Sequence, residues 1–201
     1  AFVAQVDTGG DIALRNLERA SELLSSFKQV AVDQTSDQRR RFRLREVVDE
    51  IVLTLQPSFK RSAHEVVCQV PDQIELDSYP GALGQVLTNL IQNAHIHGLE
   101  GVERGRIDIR AELRGSEVCL SVADNGRGIP EASHRHVFDP FYTTKLGQGG
   151  SGLGLPIVRN IVSGALGGSI DFRNLAAGGV VFEVVVPLNA PADPAAPVTS
   201  A

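Results

Sequence analysis

Gln85, Asn89, Asn93 and His97 follow one another at steps of four along a stretch, Ala82 to Leu99, that holds no Asp, Glu, Lys or Arg. At that spacing they share one face of a helix. A face meant only for water is usually filled with Lys and Glu, which are good helix formers, whereas Asn is a poor one. The other side carries Leu83, Leu87, Leu90 and Ala94 with Val86 and Ile91 beside them, and Pro80 and Gly98 bracket the whole as start and stop signals. Neutral amides on a nearly buried helix need partners. They serve either as hydrogen bonds to neighbouring loops or as one wall of a ligand or metal site.

Two further stretches bear on that choice. Asp124-Asn125-Gly126-Arg127-Gly128 sits where an apolar strand ending at Ala123 leaves its sheet. Asp-Asn-Gly alone is most often a turn. Here the strand end delivers a carboxylate to the mouth of the fold, and the glycines let backbone come close to a flat ligand. A carboxylate only accepts hydrogen bonds, so it suits an exocyclic amino group such as that of adenine. The guanine carbonyl would meet it as a second acceptor, at a cost of about 1–3 kcal/mol. Gly147, Gly149, Gly150, Gly152 and Gly154 crowd the segment before a helical pattern, where backbone amides and the helix dipole favour phosphate. Gly147, Gly149 and Gly152 satisfy G-x-G-x-x-G, with Asp171 about twenty residues on. The context excludes a dinucleotide fold: Phe138 to Lys145 is no buried parallel strand, and too little chain remains for a doubly wound sheet. No Lys-Ser or Lys-Thr follows the glycines, which excludes a Walker loop. Many glycines without a fixed strand make a mobile lid.

Elements must position these residues. Ile107, Ile109, Ala111 and Leu113 alternate, turn at Gly115, and continue as Val118, Leu120 and Val122, an antiparallel hairpin with one buried face. A last hairpin pairs Ile170 and Phe172 with Val180 to Val186, and a helix runs from about Gly152 to Ala165. Upstream come a short strand near Phe42, a helix carrying Val47, Val48, Ile51, Val52 and Leu55 and ended by Pro57, and strands at Val66–Val70 and Ile74–Leu76. The pattern predicts an α/β (α+β) fold, a two-layer sandwich in which three helices cover a mixed, mostly antiparallel sheet. It is preceded by one long helix, about 11–32, whose Ala13, Leu17, Ala20, Leu24, Phe27 and Ala31 form a heptad seam that needs a partner helix. The expected organisation is a partial dimerisation region and linker over 1–38, a catalytic domain over 39–188 and a disordered Ala- and Pro-rich tail over 189–201.

Composition narrows the classes. In 201 residues the hydrophobic share is 42% and the charged share 21%, ordinary for a globular chain, and a net charge of −5 argues against a nucleic-acid surface. Cys68 and Cys119 stand alone in strand-like sequence and read as small hydrophobes in a reducing compartment. No apolar run reaches membrane-spanning length. Met is absent even at position 1, so the chain reads as part of a longer protein.

Taken in order, Asn89 to Asn93 with Ala94 and His97, Asp124-x-Gly126-x-Gly128, Phe138-Asp139-Pro140-Phe141, and Gly149-Gly150-Ser151-Gly152-Leu153-Gly154-Leu155 resemble the N, G1, F and G2 boxes of sensor histidine kinases. The resemblance covers Arg41 to Leu188 and implies the Bergerat ATP-binding sandwich shared with gyrase, chaperone and mismatch-repair ATPases. It implies ATP and Mg²⁺ as ligands, with Asn93 as the metal ligand and Asn89 supporting the phosphate and metal geometry as a catalytic residue. Asp124 would read the adenine amino group, Gly126 and Gly128 would allow its approach, and His97 and Ile129 would complete the nucleotide wall. Phe138 and Phe141 would anchor the lid, Lys145 would reach the terminal phosphate as a second catalytic residue, and Thr144, Gly150, Ser151, Gly152, Leu153, Gly154 and Leu155 would close over the triphosphate. The implied partners are a phosphoacceptor histidine helix, a response regulator and a second copy docked through the N-terminal helix. The implied location is the cytoplasm, in a parent that can be anchored in the inner membrane.

The sequence departs from that family in three places. Ile96 stands where Lys or Arg is frequent, and Val180 follows Gly178-Gly179 where Thr is common. No acceptor histidine with its acidic and Arg-x-Pro neighbours occurs: His64-Glu65 opens a strand-like run, His134 and His136 read as surface residues, and His95 lies off the polar stripe. The expectation is a fragment that donates phosphate to a histidine elsewhere. The alternative is a regulatory relative that binds nucleotide to control protein interaction without transfer. A simple hydrolase is disfavoured because Asn89 stands where such enzymes tend to place a Glu general base, and an amide cannot take a proton from water.

Overall fold

A computed structural model describes residues 38–59, 62, 64–143 and 152–191 of the chain. The heptad helix expected over 11–32 lies outside these residues.

The chain enters through β1 (Arg40–Arg43), which runs directly into α1 (Leu44–Phe59). Leu44, Val47, Val48, Leu55 and Phe59 are its buried side, the three-and-four spacing of a helix lying on a core. The helix does not end at Pro57 as the sequence suggests but carries it in its last turn. A proline there deprives the Leu53 carbonyl of its donor. Leu53 is 66% exposed, so water can serve that carbonyl. β2 (Glu65–Gln69) and β3 (Glu75–Ser78) follow, and β3 pairs with β1 in a small antiparallel sheet of its own, with Phe42 opposite Leu76 and both buried.

The main sheet adds β4 (Arg106–Arg114), β5 (Glu117–Asp124), β6 (Ser169–Asn174) and β7 (Val180–Pro187), in the order β2-β4-β5-β7-β6. Every neighbouring pair is antiparallel except β2 with β4. Register places Ile109 opposite Val122 and Val122 opposite Phe182, Ala111 opposite Leu120 and Leu120 opposite Val184. These side chains make one continuous apolar face. Three helices cover it: α1, α2 (Pro80–Asn93) through Leu83, Val86, Leu87, Leu90 and Ile91, and α3 (Gly154–Ser163) through Val158 and Val162. The result is the two-layer α/β sandwich that the alternation and helical spacing predict. α3 is shorter than the glycine and apolar pattern suggests. Past β7 the chain remains tied: Asp77 receives a bond from the Ala190 amide (2.9 Å) and donates its own to the Leu188 carbonyl (2.8 Å), and Ala190 is buried.

α2 does not stop at Asn93. It widens into one π turn, Ala94–Gly98, closed by the Leu99 amide on the Ala94 carbonyl at 2.8 Å. Such turns insert an extra residue into a helix and are frequent at functional sites.

Candidate functional site

The strand pattern itself builds the centre of the site. Along β5 the core-facing positions are Val118, Leu120, Val122 and then Asp124, which lies opposite Ile107 on β4. A carboxylate thus occupies the register position where the next apolar side chain belongs. It is only 4% exposed. Burial pushes its pKa up, and hydrogen bonds from the Gly126 and Val180 backbone amides pull it partly back, the former at 2.9 Å. A buried charge that is not fully compensated marks a candidate functional group.

Backbone from three segments closes around this carboxylate. A side chain at Gly98 would lie 2.8 Å from Asp124 Oδ2. One at Gly126 would collide with the Gly98 carbonyl, and one at Gly179, whose φ is +89°, with the Asp124 carbonyl. Only glycine permits these approaches. The Arg127 amide then donates to the Gly98 carbonyl (3.2 Å), linking the loop after β5 to the end of the π turn. Across this junction the Arg127 guanidinium pairs with Glu100 at 3.1 Å.

A cleft of about 520 Å³ opens over Asp124, within the range of roughly 300–1,000 Å³ usual for small-molecule sites. Asn89, Asn93, Ile96, His97 and Gly98 line it from α2 and the π turn, Arg127 to Pro130 from the loop after β5, Gly152, Gly154, Leu155 and Pro156 from the start of α3, and Val180 and Phe182 from β7. One end is apolar around a single deep acceptor. The other presents amides: a Cβ on Gly154 would meet Asn93 Nδ2 at 3.5 Å, Asn93 Oδ1 at 3.6 Å and Asn89 Oδ1 at 3.7 Å, so glycine leaves open space before both side chains. Asn93 Nδ2 is buried with no hydrogen-bond partner. An amide in that condition is under-satisfied until something enters the cleft. Amide oxygens are hard donors suited to Mg²⁺ carried on phosphate oxygens. No group of three or more His, Cys, Asp or Glu able to hold a metal occurs among the described residues.

Of the residues singled out from sequence, Asn89, Asn93, His97, Asp124, Gly128, Ile129, Gly152, Gly154 and Leu155 line this one cleft. Gly126 stands directly behind Asp124. Leu153 precedes α3 and is not part of the lining. Nor is Phe138, which packs against Phe172 (6.0 Å between rings) beneath the Arg159 guanidinium (5.8 Å). Thr144, Lys145, Gly150 and Ser151 lie outside the described residues. Gln85 continues the polar stripe but not the cleft, and its Nε2 has no partner. His134, read from sequence as a surface residue, is half-buried, with Nε2 3.0 Å from the Ile129 carbonyl. His95 faces away from the cleft to His64, with Nδ1 to Nδ1 at 3.0 Å, and packs edge-on against Phe59.

Sequence reasoning overlooked the Gly98 carbonyl and Gly179 as parts of the site. The glycines were visible, but their convergence on Asp124 depends on which strands become neighbours. Ser133 and Tyr142, joined by a 2.7 Å hydrogen bond at the cleft, carried no local signal at all.

Residues 79–190 match the family described as histidine kinase-, DNA gyrase B- and HSP90-like ATPases. Among curated proteins, the alginate biosynthesis sensor protein KinB of Pseudomonas aeruginosa is 36% identical over 104 residues, 52% of this chain and 17% of that protein. Sensor histidine kinase ZraS of Escherichia coli O157:H7 is 37% identical over 116 residues, 57% of this chain and 24% of that protein. The chain therefore spans about a quarter or less of the length of these relatives. Among solved structures, the nucleotide-free catalytic domain of histidine kinase ThkA superposes with a TM-score of 0.67 at 31% identity, covering 76% of this chain and 97% of that domain. ThkA in complex with the response regulator protein TrrA gives 0.65 at 28% identity, covering 84% of this chain and 48% of that one. With the matched span exceeding half of its length and the fold shared with a histidine kinase catalytic domain, the chain belongs to the histidine kinase-, gyrase- and HSP90-like ATPase family.

Proposed function

We propose that the chain is the ATP-binding catalytic domain of a sensor histidine kinase, which holds MgATP in the cleft and passes the γ-phosphoryl group to a histidine on a dimerisation helix of the parent protein. The observation that carries this reading is the buried Asp124 carboxylate at the apolar end of a cleft whose other end is lined by Asn89 and by Asn93, whose side-chain Nδ2 has no hydrogen-bond partner. Asp124 accepts from the adenine amino group. Val180, Phe182, Ile129 and Leu155 exclude water from the base, which strengthens that single polar contact. Asn93 holds Mg²⁺ through its amide oxygen, with Asn89 supporting it. Bound Mg²⁺ supplies charge neutralisation on the phosphates, and transfer otherwise rests on positioning. In the transfer the unprotonated nitrogen of a neutral imidazole bonds to the γ-phosphorus, the bond from phosphorus to the β-bridging oxygen breaks and ADP leaves, and the proton on the other ring nitrogen passes to solvent. Lys145 is assigned to the terminal phosphate and Thr144, Gly150 and Ser151 to its enclosure.

The complex of ThkA with a response regulator supports such a regulator as the onward partner of the phosphohistidine. The heptad pattern over 11–32 supports a homodimer formed through that helix. No helix among the described residues is long and apolar enough to cross a membrane. The cytoplasmic placement rests on the proposed ligand, since ATP is supplied there.

Titrating the protein with ATP and ADP, with and without Mg²⁺, tests the binding half. Saturable binding of both nucleotides, tighter for ATP when Mg²⁺ is present, is expected, and absence of binding sinks the reading. Ile96, 38% exposed on the cleft wall, supports the alternative of a nucleotide-controlled interaction module, because an aliphatic side chain there cannot contact phosphate. Labelled ATP added with a separately supplied helical hairpin bearing the acceptor histidine separates the two. Label on the hairpin identifies a kinase, and binding without label identifies the interaction module.

A further inference from the structure

We propose that Asn174 is a positioning residue of the nucleotide site, acting as a side-chain clamp on the Gly128–Ile129 backbone. The inference rests on the nucleotide reading of the cleft. Asn174 is the last residue of edge strand β6 and lies 45 residues from Ile129 in the chain. Its Oδ1 accepts from the Ile129 amide at 2.9 Å, and its Nδ2 donates to the Ile129 carbonyl at 2.7 Å. One amide group thus meets both polar groups of one residue, reproducing the exchange made by a hydrogen-bonded pair of antiparallel strands. The loop is attached to the sheet edge without itself being a strand.

Two features tighten the arrangement. His134 donates Nε2–H to the same Ile129 carbonyl (3.0 Å), a role that fixes its tautomer and leaves Nε2 unable to accept from Asn174 Nδ2 at 3.5 Å. The imidazole is braced edge-on against Phe172 (5.2 Å between rings). Gly128 has φ +70°, and a Cβ on it would lie 3.0 Å from Asn174 Oδ1 and 3.1 Å from the Gly179 carbonyl, so the loop is pressed onto β6 and β7 with no slack. Gly128 and Ile129 line the cleft, whereas Asn174 does not. Its effect on nucleotide therefore passes entirely through the backbone it holds.

The chemistry demands an amide. Asp at 174 would keep the acceptor for the Ile129 amide but set a carboxylate oxygen against the Ile129 carbonyl, and Ala would remove both bonds. The test compares the parent with Asn174→Asp and Asn174→Ala by residue-resolved amide exchange, ATP titration and hairpin phosphorylation. In Asn174→Ala the Ile129 amide should lose protection while β5 and β7 amides keep theirs; Asn174→Asp keeps the acceptor and with it the protection, and loses only the bond to the Ile129 carbonyl. The Kd and KM for ATP should rise about three- to tenfold, with kcat retained. An Ile129 amide as protected in Asn174→Ala as in the parent overturns the clamp. Lost protection with unchanged ATP affinity overturns its positioning role. The exchange readout needs no nucleotide, so a parent that does not bind ATP sinks the nucleotide reading separately. Should Asn174→Ala not fold, Asn174→Asp decides through ATP affinity alone: its carboxylate oxygen opposes the Ile129 carbonyl, and an unchanged Kd overturns the positioning role.

Discussion

Asp124 sits where the alternation of β5 calls for another Val or Leu. Because burial raises its pKa, the protonated form is the one the fold prefers. The sign follows from linkage: a carboxyl with a raised folded pKa adds stability below its unfolded pKa, near 4, and that contribution is lost as pH climbs through the folded pKa. At neutral pH the ionised side chain is a net cost. Asn at this position keeps an oxygen for the Gly126 and Val180 amides without the charge. Asp124→Asn should therefore melt higher than the parent at pH 7, by an amount equivalent to about 1 kcal/mol, with the gap closing toward pH 4. The same substitution should weaken ATP binding at least about tenfold, since a charged acceptor is worth roughly 1.5–3 kcal/mol and an amide can turn its donor toward the base. Melting curves across pH with parallel titrations measure both. The Asp-x-Gly-x-Gly spacing made this residue legible in the sequence, because a strand end followed by glycines admits few other uses. Asn174 was not legible, since nothing within ten residues of it hints at Ile129.

The π turn Ala94–Gly98 couples two environments within one element. His97 and Gly98 look into the cleft, and His95 looks the other way onto His64. Burial, and after it the proximity of His64, lowers the pKa of His95, so the neutral ring is favoured. Among the described residues His64 is the titratable group whose charge His95 feels. A depressed histidine contributes stability that is complete above its unfolded pKa, near 6.5, and is lost as pH falls toward the folded value. The thermal midpoint of the parent should drop more steeply between pH 7 and pH 5 than that of His95→Gln, which keeps a hydrogen-bonding group without titrating. Equal slopes would show that the pair contributes nothing to acid sensitivity. The helical faces of α2 could be read from residue types because a period of 3.6 is a local property. The π turn could not, since the pattern of His95 and His97 looks the same in an uninterrupted helix. Pro57 was misleading for the opposite reason: the rule that proline ends a helix assumes that the orphaned carbonyl has no water, and the carbonyl of exposed Leu53 does.

At the scale of the molecule, one apolar layer between sheet and helices carries both stability and site, because α2 contributes Leu83 and Leu87 to the core and Asn89 and Asn93 to the cleft. Ligand binding and global unfolding are then linked. MgATP at a hundred times its Kd should add about 2.7 kcal/mol and raise the thermal midpoint by several degrees. Asp124→Asn, although more stable without ligand, should gain at most about half as much at the same concentration, since a tenfold weaker Kd leaves about 1.4 kcal/mol. Differential scanning fluorimetry of the two proteins over a nucleotide series checks the pair of outcomes. The sandwich itself was legible in the alternation of Ile107 to Val122 and of Val180 to Val186, since one buried face forces period two. The parallel placement of β2 beside β4 was not, because pairing between distant strands leaves no mark in either one.

Gly98, Gly126 and Gly179 reach Asp124 from three separate stretches of chain, and a side chain would meet the Asp124 carboxylate at Gly98 and neighbouring backbone at Gly126 and Gly179. Their freedom to vary is therefore shared. In a saturation library selected for nucleotide capture, these positions should fall silent together, while the cleft wall at Ile96 accepts many replacements. Lineages that abandon the adenine pocket would be released from all three at once, so the presence of the glycine triplet in a sequence is a record that the pocket is still in use.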